Sequence, residues 1–179
     1  MKRQSVKILY SIGSGIVLLC IDFLSKFIAN ARLPFEKVQD TFLPFLVFYR
    51  THNTGYHFLF GPINNHFLWA LSGLIFVSAL IASLIHSLVK ENLDRINFTV
   101  YAAILALTIG ATGNVLEILF AGHATDFFIF RPFPWPSNFC DQYINGILYI
   151  TLPVIIIKSL IERIRHKRLI KAERENRDT

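Results

Sequence analysis

The sequence predicts an all-α integral membrane protein, four transmembrane helices carrying a small β-rich element on the outer membrane surface. Three observations predict it. The 179 residues are 53% apolar, with 17 Phe, and the mean hydropathy is +0.46, too apolar for a soluble domain of this size. Four stretches can each supply the roughly 20 helical residues that cover about 30 Å of hydrocarbon. The net charge of +6 is also unevenly spread, because eight of the 18 Lys and Arg lie between Lys158 and Arg177. This apolar load excludes a disordered chain, a collagen and a nucleic-acid module. Two Cys cannot make a disulfide framework, and a single Cys20–Cys140 pair is left open by the sequence.

The helices fall at about residues 8–29, 67–89, 96–120 and 143–161, within a single membrane domain spanning 1–179. The first resembles a cleavable signal peptide, with Lys2, Arg3 and Lys7 ahead of an apolar run and Ala29-Asn30-Ala31 as an A-x-A site. Its apolar periodicity continues past Asp22 through Phe23, Leu24, Phe27 and Ile28, so it is read as a retained helix. Lys158 sits where a long side chain snorkels to the interface. Thirteen of the 18 basic residues lie in the N-terminus, the loop between helices two and three, and the tail at 162–179 with Lys158. The remaining connections hold only Arg32, Lys37, Arg50 and Arg131. By the positive-inside rule both termini are cytoplasmic and the two longer connections face outward. The basic tail reads as a topogenic anchor to lipid headgroups, with no nucleic-acid partner.

The outer connections are not bland. Residues 33–60 read as a β-like cradle, since the run from Thr41 to Phe60 is rich in Phe, Val, Tyr and Thr. Asn53-Thr54-Gly55 is its turn signal, which suggests a hairpin or curved sheet on the membrane surface. Residues 131–136 read as a rigid, Pro-rich, non-helical linker within the connection 122–142.

Chemistry is expected where carboxylates meet hydrocarbon, since ionisable groups there are expensive and functional by default. Asp22, Glu117, Asp126 and Asp141 all fall at the outer boundary, the last immediately before helix four. Asp22 and Lys26 share a helix face as a local ion pair. Gly110, Gly113, Asn114 and Glu117 share another, where small residues allow close helix contact and polar ones clasp it. His52, His57 and His123 read as loop or interfacial residues rather than ligands, and no metal-binding spacing is present. Asp126 and Asp141 have no basic residue within four positions. Two carboxylates brought together in a semi-dry site split their pKa values, which equips them to activate water against an amide. The residues alone leave that pairing open.

Asp22-Phe-Leu-Ser-Lys26, Asn53-Thr54-Gly55, Gly110-Ala-Thr-Gly113-Asn114 with Asp126-Phe127, and Asn138-Phe-Cys-Asp141-Gln-Tyr-Ile144 occur in order at the helix ends. Together they resemble the boxes of the bacterial lipoprotein signal peptidase (signal peptidase II) family, over about residues 16–161. The resemblance implies a four-helix membrane aspartyl protease with Asp126 and Asp141 as the catalytic pair and no metal or other cofactor. It implies Asn53, Gly55, Asn114 and Asn138 as supporting or substrate-binding residues, and Asp22, Lys26 and Glu117 as structural polar ones. The implied reaction removes the signal peptide of a diacylglyceryl-modified prolipoprotein before its lipidated Cys. The implied partners are that substrate, membrane lipids and globomycin-type inhibitors, and the implied location is the bacterial cytoplasmic (inner) membrane with the active site near its outer face.

The family's GNxxDR reads Gly113-Asn-Val-Leu-Glu117-Ile118 here, so a carboxylate one methylene longer replaces Asp and an apolar side chain replaces Arg. Glu117 is therefore expected to anchor to Asn114, Lys26 or backbone donors. Tyr56 and His57 replace small residues, Cys140 replaces Ala, and Ser137 replaces Phe. The second reading is a non-catalytic paralogue that binds lipidated peptides, or a small transport-like membrane protein.

Overall fold

The computed structural model describes residues 2–54, 65–90, 93–131, 133 and 135–175. Helix α1 runs Lys2–Arg32, without an internal Pro, and stops two residues before Pro34, whose ring disfavours helix at Leu33. Strands β1 (Val38–Asp40) and β2 (Leu46–Asn53) follow. Helix α2 spans His66–Lys90, with the Asn65 side chain accepting the Leu68 N–H at 3.1 Å. Helix α3 spans Arg95–Ala121; Asp94 caps its start by accepting the Asn97 N–H at 2.8 Å. Its last turn closes on Gly122 at φ 79°, a left-handed conformation that glycine adopts without a Cβ penalty. Strand β3 (Ala124–Phe130) therefore starts almost at the helix end. A final rod comprises α4 (Phe139–Gly146), a π-helical turn at Ile147–Thr151, and α5 (Leu152–Glu175). The wide turn lies just ahead of Pro153, which has no helical N–H to give.

Among the described residues, four helices are long and apolar enough to cross a membrane: Ser5–Arg32, His66–Lys90, Arg95–Ala121 and Phe139–Arg168. The chain is a multi-pass membrane protein with a mostly helical fold and one small antiparallel sheet, ordered β1-β2-β3. The fourth span begins earlier than the apolar run from 143 suggests. Asn138 and Asp141 form a reciprocal capping box, which starts the helix at Phe139 and sets Asp141 in its first turn rather than ahead of it.

The sheet differs from expectation in two ways. The hairpin turn lies at residues 41–45, where the Thr41 hydroxyl bonds Leu46 O at 2.7 Å and accepts the Leu43 N–H at 3.1 Å. Asn53 ends β2; the expected residues 55–60, including Gly55, Tyr56 and His57, lie outside the described residues. The third strand comes from the connection 122–142. β3 pairs along β2 from Leu46↔Phe130 to Asn53↔Ala124, with a bulge between Phe48 and Thr51. After β3, Ser137 bridges back to Phe128 through N–H···O bonds of 2.9 and 3.2 Å.

Apolar packing is local to each contact. Ile8, Leu84, Leu88 and Leu105 join α1, α2 and α3; Ala29, Phe127 and Phe128 join α1 to β3; Ala70, Ile118 and Ala124 join α2, α3 and β3. The last two clusters fix β3 against the helix ends, where the polar residues gather.

Candidate active site

Helices α1 and α3 meet around one buried ammonium. Lys26 Nζ lies 2.8 Å from Asp22 Oδ2 on its own helix, 3.0 Å from Glu117 Oε2, and 2.5 Å from Asn114 Oδ1. Asp22 is fully buried and Lys26 is 3% exposed. The Asp22–Lys26 pair is thus part of an interhelical network, not only the local pair that i, i+4 spacing suggests. Asp22 Oδ1 also accepts the Cys140 N–H at 3.1 Å, tying α1 to the first turn of α4. The close approach needs Gly113, since a Cβ there would sit 2.6 Å from Asp22 Oδ2 and 2.8 Å from Cys140 Sγ. Cys140 Sγ donates to Gly110 O at 3.3 Å, and both Cys20 and Cys140 are free thiols. Removing one partner of such a buried ion pair costs about 3–5 kcal/mol, because the other charge is left unpaired.

The two aspartates converge on Asn138. Asp126, on β3 and 2% exposed, accepts the Asn138 Nδ2–H at 2.6 Å on Oδ1 and the Asn53 Nδ2–H at 3.0 Å on Oδ2. Asp141 accepts the Asn138 backbone N–H at 3.0 Å on Oδ2 and the Asn114 Nδ2–H at 3.1 Å on Oδ1. Asn138 Oδ1 accepts the Asp141 N–H at 3.2 Å, which fixes the amide so that its NH2 faces Asp126. One residue therefore bonds both carboxylates. Burial, with the nearby Asp141 charge second, pushes the Asp126 carboxyl up to about 7, against the bonds from Asn53 and Asn138 that favour its ionised form.

The family model for signal peptidase (SPase) II matches residues 15–159, a stretch that takes in all of these residues. The chain belongs to the signal peptidase II family. A lipoprotein signal peptidase of Mesorhizobium japonicum is 27% identical over 133 residues, 71% of this chain and 73% of the relative. Two solved structures, each described as a bacterial membrane enzyme determined by the in meso method, share the fold at 18% identity, each with a TM-score of 0.63. The matches cover 86% of this chain and 89% of the first structure, and 84% and 92% for the second.

Within this signal peptidase II fold, the third-box carboxylate is held by Lys26 and Thr125 among the described residues. Glu117 pairs with Lys26 and accepts the Thr125 N–H at 3.0 Å and the Thr125 hydroxyl at 2.6 Å; the Asn114 amide is occupied by Lys26 and Asp141 instead. Ile118 is buried in the apolar cluster with Ala70 and Ala124. Thr125 escapes a reading based on charge. It is fully buried, links Glu117 to the strand, and accepts the Asn30 Nδ2–H at 3.3 Å. The available signal is the Thr and aromatic content of Ala124–Phe130, which favours a strand. His52 and His123 stack with ring centroids 3.7 Å apart, and burial followed by the His123 charge lowers the His52 pKa. Among the described residues, no group of three or more His, Cys, Asp and Glu is arranged to hold a metal ion. Gly55 and His57 lie outside the described residues.

Proposed function

We propose that the protein is a lipoprotein signal peptidase of the aspartyl type, cleaving before the diacylglyceryl-modified Cys of a prolipoprotein. The observation that carries this reading is the pair of hydrogen bonds by which Asn138 holds Asp126 and Asp141 together at the helix ends. The name of the Mesorhizobium japonicum relative points to the same substrate class.

In this mechanism Asp141 is ionised and takes a proton from water, whose oxygen attacks the scissile carbonyl. Asp126 holds a proton up to about pH 7 and gives it to the carbonyl oxygen. As the C–N bond breaks, the proton that Asp141 took from water goes to the leaving nitrogen and the gem-diol hydroxyl returns one to Asp126, which restores both carboxyls. Asn53, Asn114 and Asn138 hold the carboxylates. The acyl chains of the substrate stay in lipid beside the helices, which accounts for a protease built at a helix–sheet junction of a membrane bundle. The site works at the outer face of the bacterial cytoplasmic membrane, and a globomycin-type inhibitor competes for it.

Cleavage of a lipidated prolipoprotein in membranes free of other signal peptidases tests the reading. Asp126→Asn and Asp141→Asn each lower turnover by several orders of magnitude, while the variants still fold and bind lipidated peptide. The double variant is little worse than either single one, because the pair acts as a unit. Near-normal cleavage by either single variant removes that residue from the mechanism. Binding without cleavage by the unaltered protein favours the paralogue reading.

A further inference from the structure

Lys26 has three N–H bonds to give and three acceptors around it: Asp22, Glu117 and Asn114. The first two contacts are ion pairs that join helices. The third is different, because the acceptor is an amide whose two ends are nearly the same shape. The other end of that amide, Nδ2, lies 3.1 Å from Asp141 Oδ1. An ammonium can only donate and a carboxylate can only accept. Turning the amide over would set NH2 against the Lys26 ammonium and C=O against the Asp141 carboxylate, exchanging two charge-assisted bonds for two repulsions. The neighbours' chemistry therefore dictates the orientation. Without the ammonium, half of that constraint is gone, and Asp141 retains the backbone N–H of Asn138 on its other oxygen.

We propose that Lys26 is a positioning residue for the aspartate pair: through the Asn114 amide it holds an N–H against Asp141 Oδ1, which keeps that carboxylate ionised and aimed at water. The proposal rests on the hydrolytic reading above and adds a role to a residue otherwise explained by helix packing. Lys26 touches neither water nor peptide in this scheme, and its effect passes through Asn114. The charged groups around Asp141 are Asp22 and Lys26 on α1, Glu117 on α3 and Asp126 on β3. Any test must therefore separate the relay from the bare field of the ammonium.

Two readouts do so, one of which needs no activity. The first is hydrogen exchange of the Asn114 side-chain NH2 by NMR, assigned against Asn114→Ala. It is protected in the unaltered protein, exchanges at least about tenfold faster in Lys26→Met, and is unchanged in Glu117→Gln, which leaves the Lys26–Asn114 contact in place. The second is the pH profile of cleavage. Lys26→Met lowers kcat more than it raises KM and moves the acid limb up by about one pH unit, the size of one lost bond to a charged group. In an Asn114→Ala background the same Lys26→Met change moves the limb much less, because the relay is already cut.

If Lys26→Met does not fold, the charge-balanced variant Asp22→Asn/Lys26→Met/Glu117→Gln, which buries no lone charge, carries the same NMR measurement. Unchanged Asn114 protection, or an equal limb shift in both backgrounds, overturns the relay while cleavage by the unaltered protein persists. Absence of cleavage by the unaltered protein overturns the proposed function and leaves the Asn114 readout standing.

Discussion

Asp126 sits under opposed influences, and its behaviour with pH follows from which one wins. Burial and the Asp141 charge favour the neutral acid, while the amides of Asn53 and Asn138 favour the carboxylate; burial prevails and the group titrates at about 7. The general acid of the proposed mechanism works only while it holds its proton, so turnover should fall as pH rises through about 7. Asn53 donates to Asp126 Oδ2, so Asn53→Ala removes a donor that stabilises the charged form. The alkaline limb then moves to higher pH by up to about one unit, measurable as kcat/KM against pH; a shift to lower pH would assign Asn53 a different role. Glu117→Gln keeps the Thr125 contacts geometrically possible but removes an anion paired to Lys26, so it lowers stability or activity moderately without abolishing chemistry. Complete inactivation with unchanged folding would place Glu117 in the reacting group. At this scale the charged members of the site are legible in sequence, because Asp22, Lys26, Glu117, Asp126 and Asp141 are anomalies beside hydrocarbon. Thr125 is not, since a neutral residue in an apolar run raises no such flag.

Each element does one positioning task, and the least legible elements are those defined by long-range pairing. The four spans follow from apolar length alone, which needs no knowledge of partners. β3 becomes a strand because β2 offers it a ladder and Gly122 turns the chain back at the right residue, neither of which a local pattern reports. The β1–β2 turn is set in the same way: the register Val38↔Tyr49 and Asp40↔Val47 leaves it to residues 41–45, while the Asn-Thr-Gly signal runs on past the described residues. The α1–α3–α4 contact is the element-level feature most open to attack. A methyl at Gly113 meets a carboxylate oxygen at 2.6 Å and a sulfur at 2.8 Å, and both are fixed by their own bonds. Gly113→Ala therefore overpacks the junction at a cost of about 1–3 kcal/mol. It should lower the thermal midpoint in detergent and reduce cleavage together, because the displaced groups are Asp22 and the residue beside Asp141. Unchanged stability would mean that the helices can part there freely, against the packing described.

On the scale of the whole molecule, chain direction puts the polar site at one end, opposite the start of α1 and the end of α5. α1 runs toward the site and delivers Asp22 and Lys26 near its end; α3 does the same with Asn114 and Glu117; the rod beginning at Phe139 runs away from it. The far end is marked by the ion pair of Lys158 with Asp94, at the start of α3. Basic residues follow this axis. Lys2, Arg3, Lys7, Lys90, Arg95, Lys158 and the tail cations lie toward the termini, against Arg32, Lys37, Arg50 and Arg131 toward the site. Lys and Arg near span ends are retained on the cytoplasmic side, so both termini should be cytoplasmic and the site should face outward, where a translocated prolipoprotein presents its cleavage bond. A reporter that is active only outside should be silent at Thr179 and active when inserted within residues 55–64, and protease added to intact cells should spare the tail. Deleting 162–179 leaves Lys2, Arg3, Lys7, Lys90, Arg95 and Lys158 against the same four residues. That variant should keep its orientation with a detectable inverted fraction. An external C-terminus in the full chain would overturn the four-span orientation and, with it, the outward site.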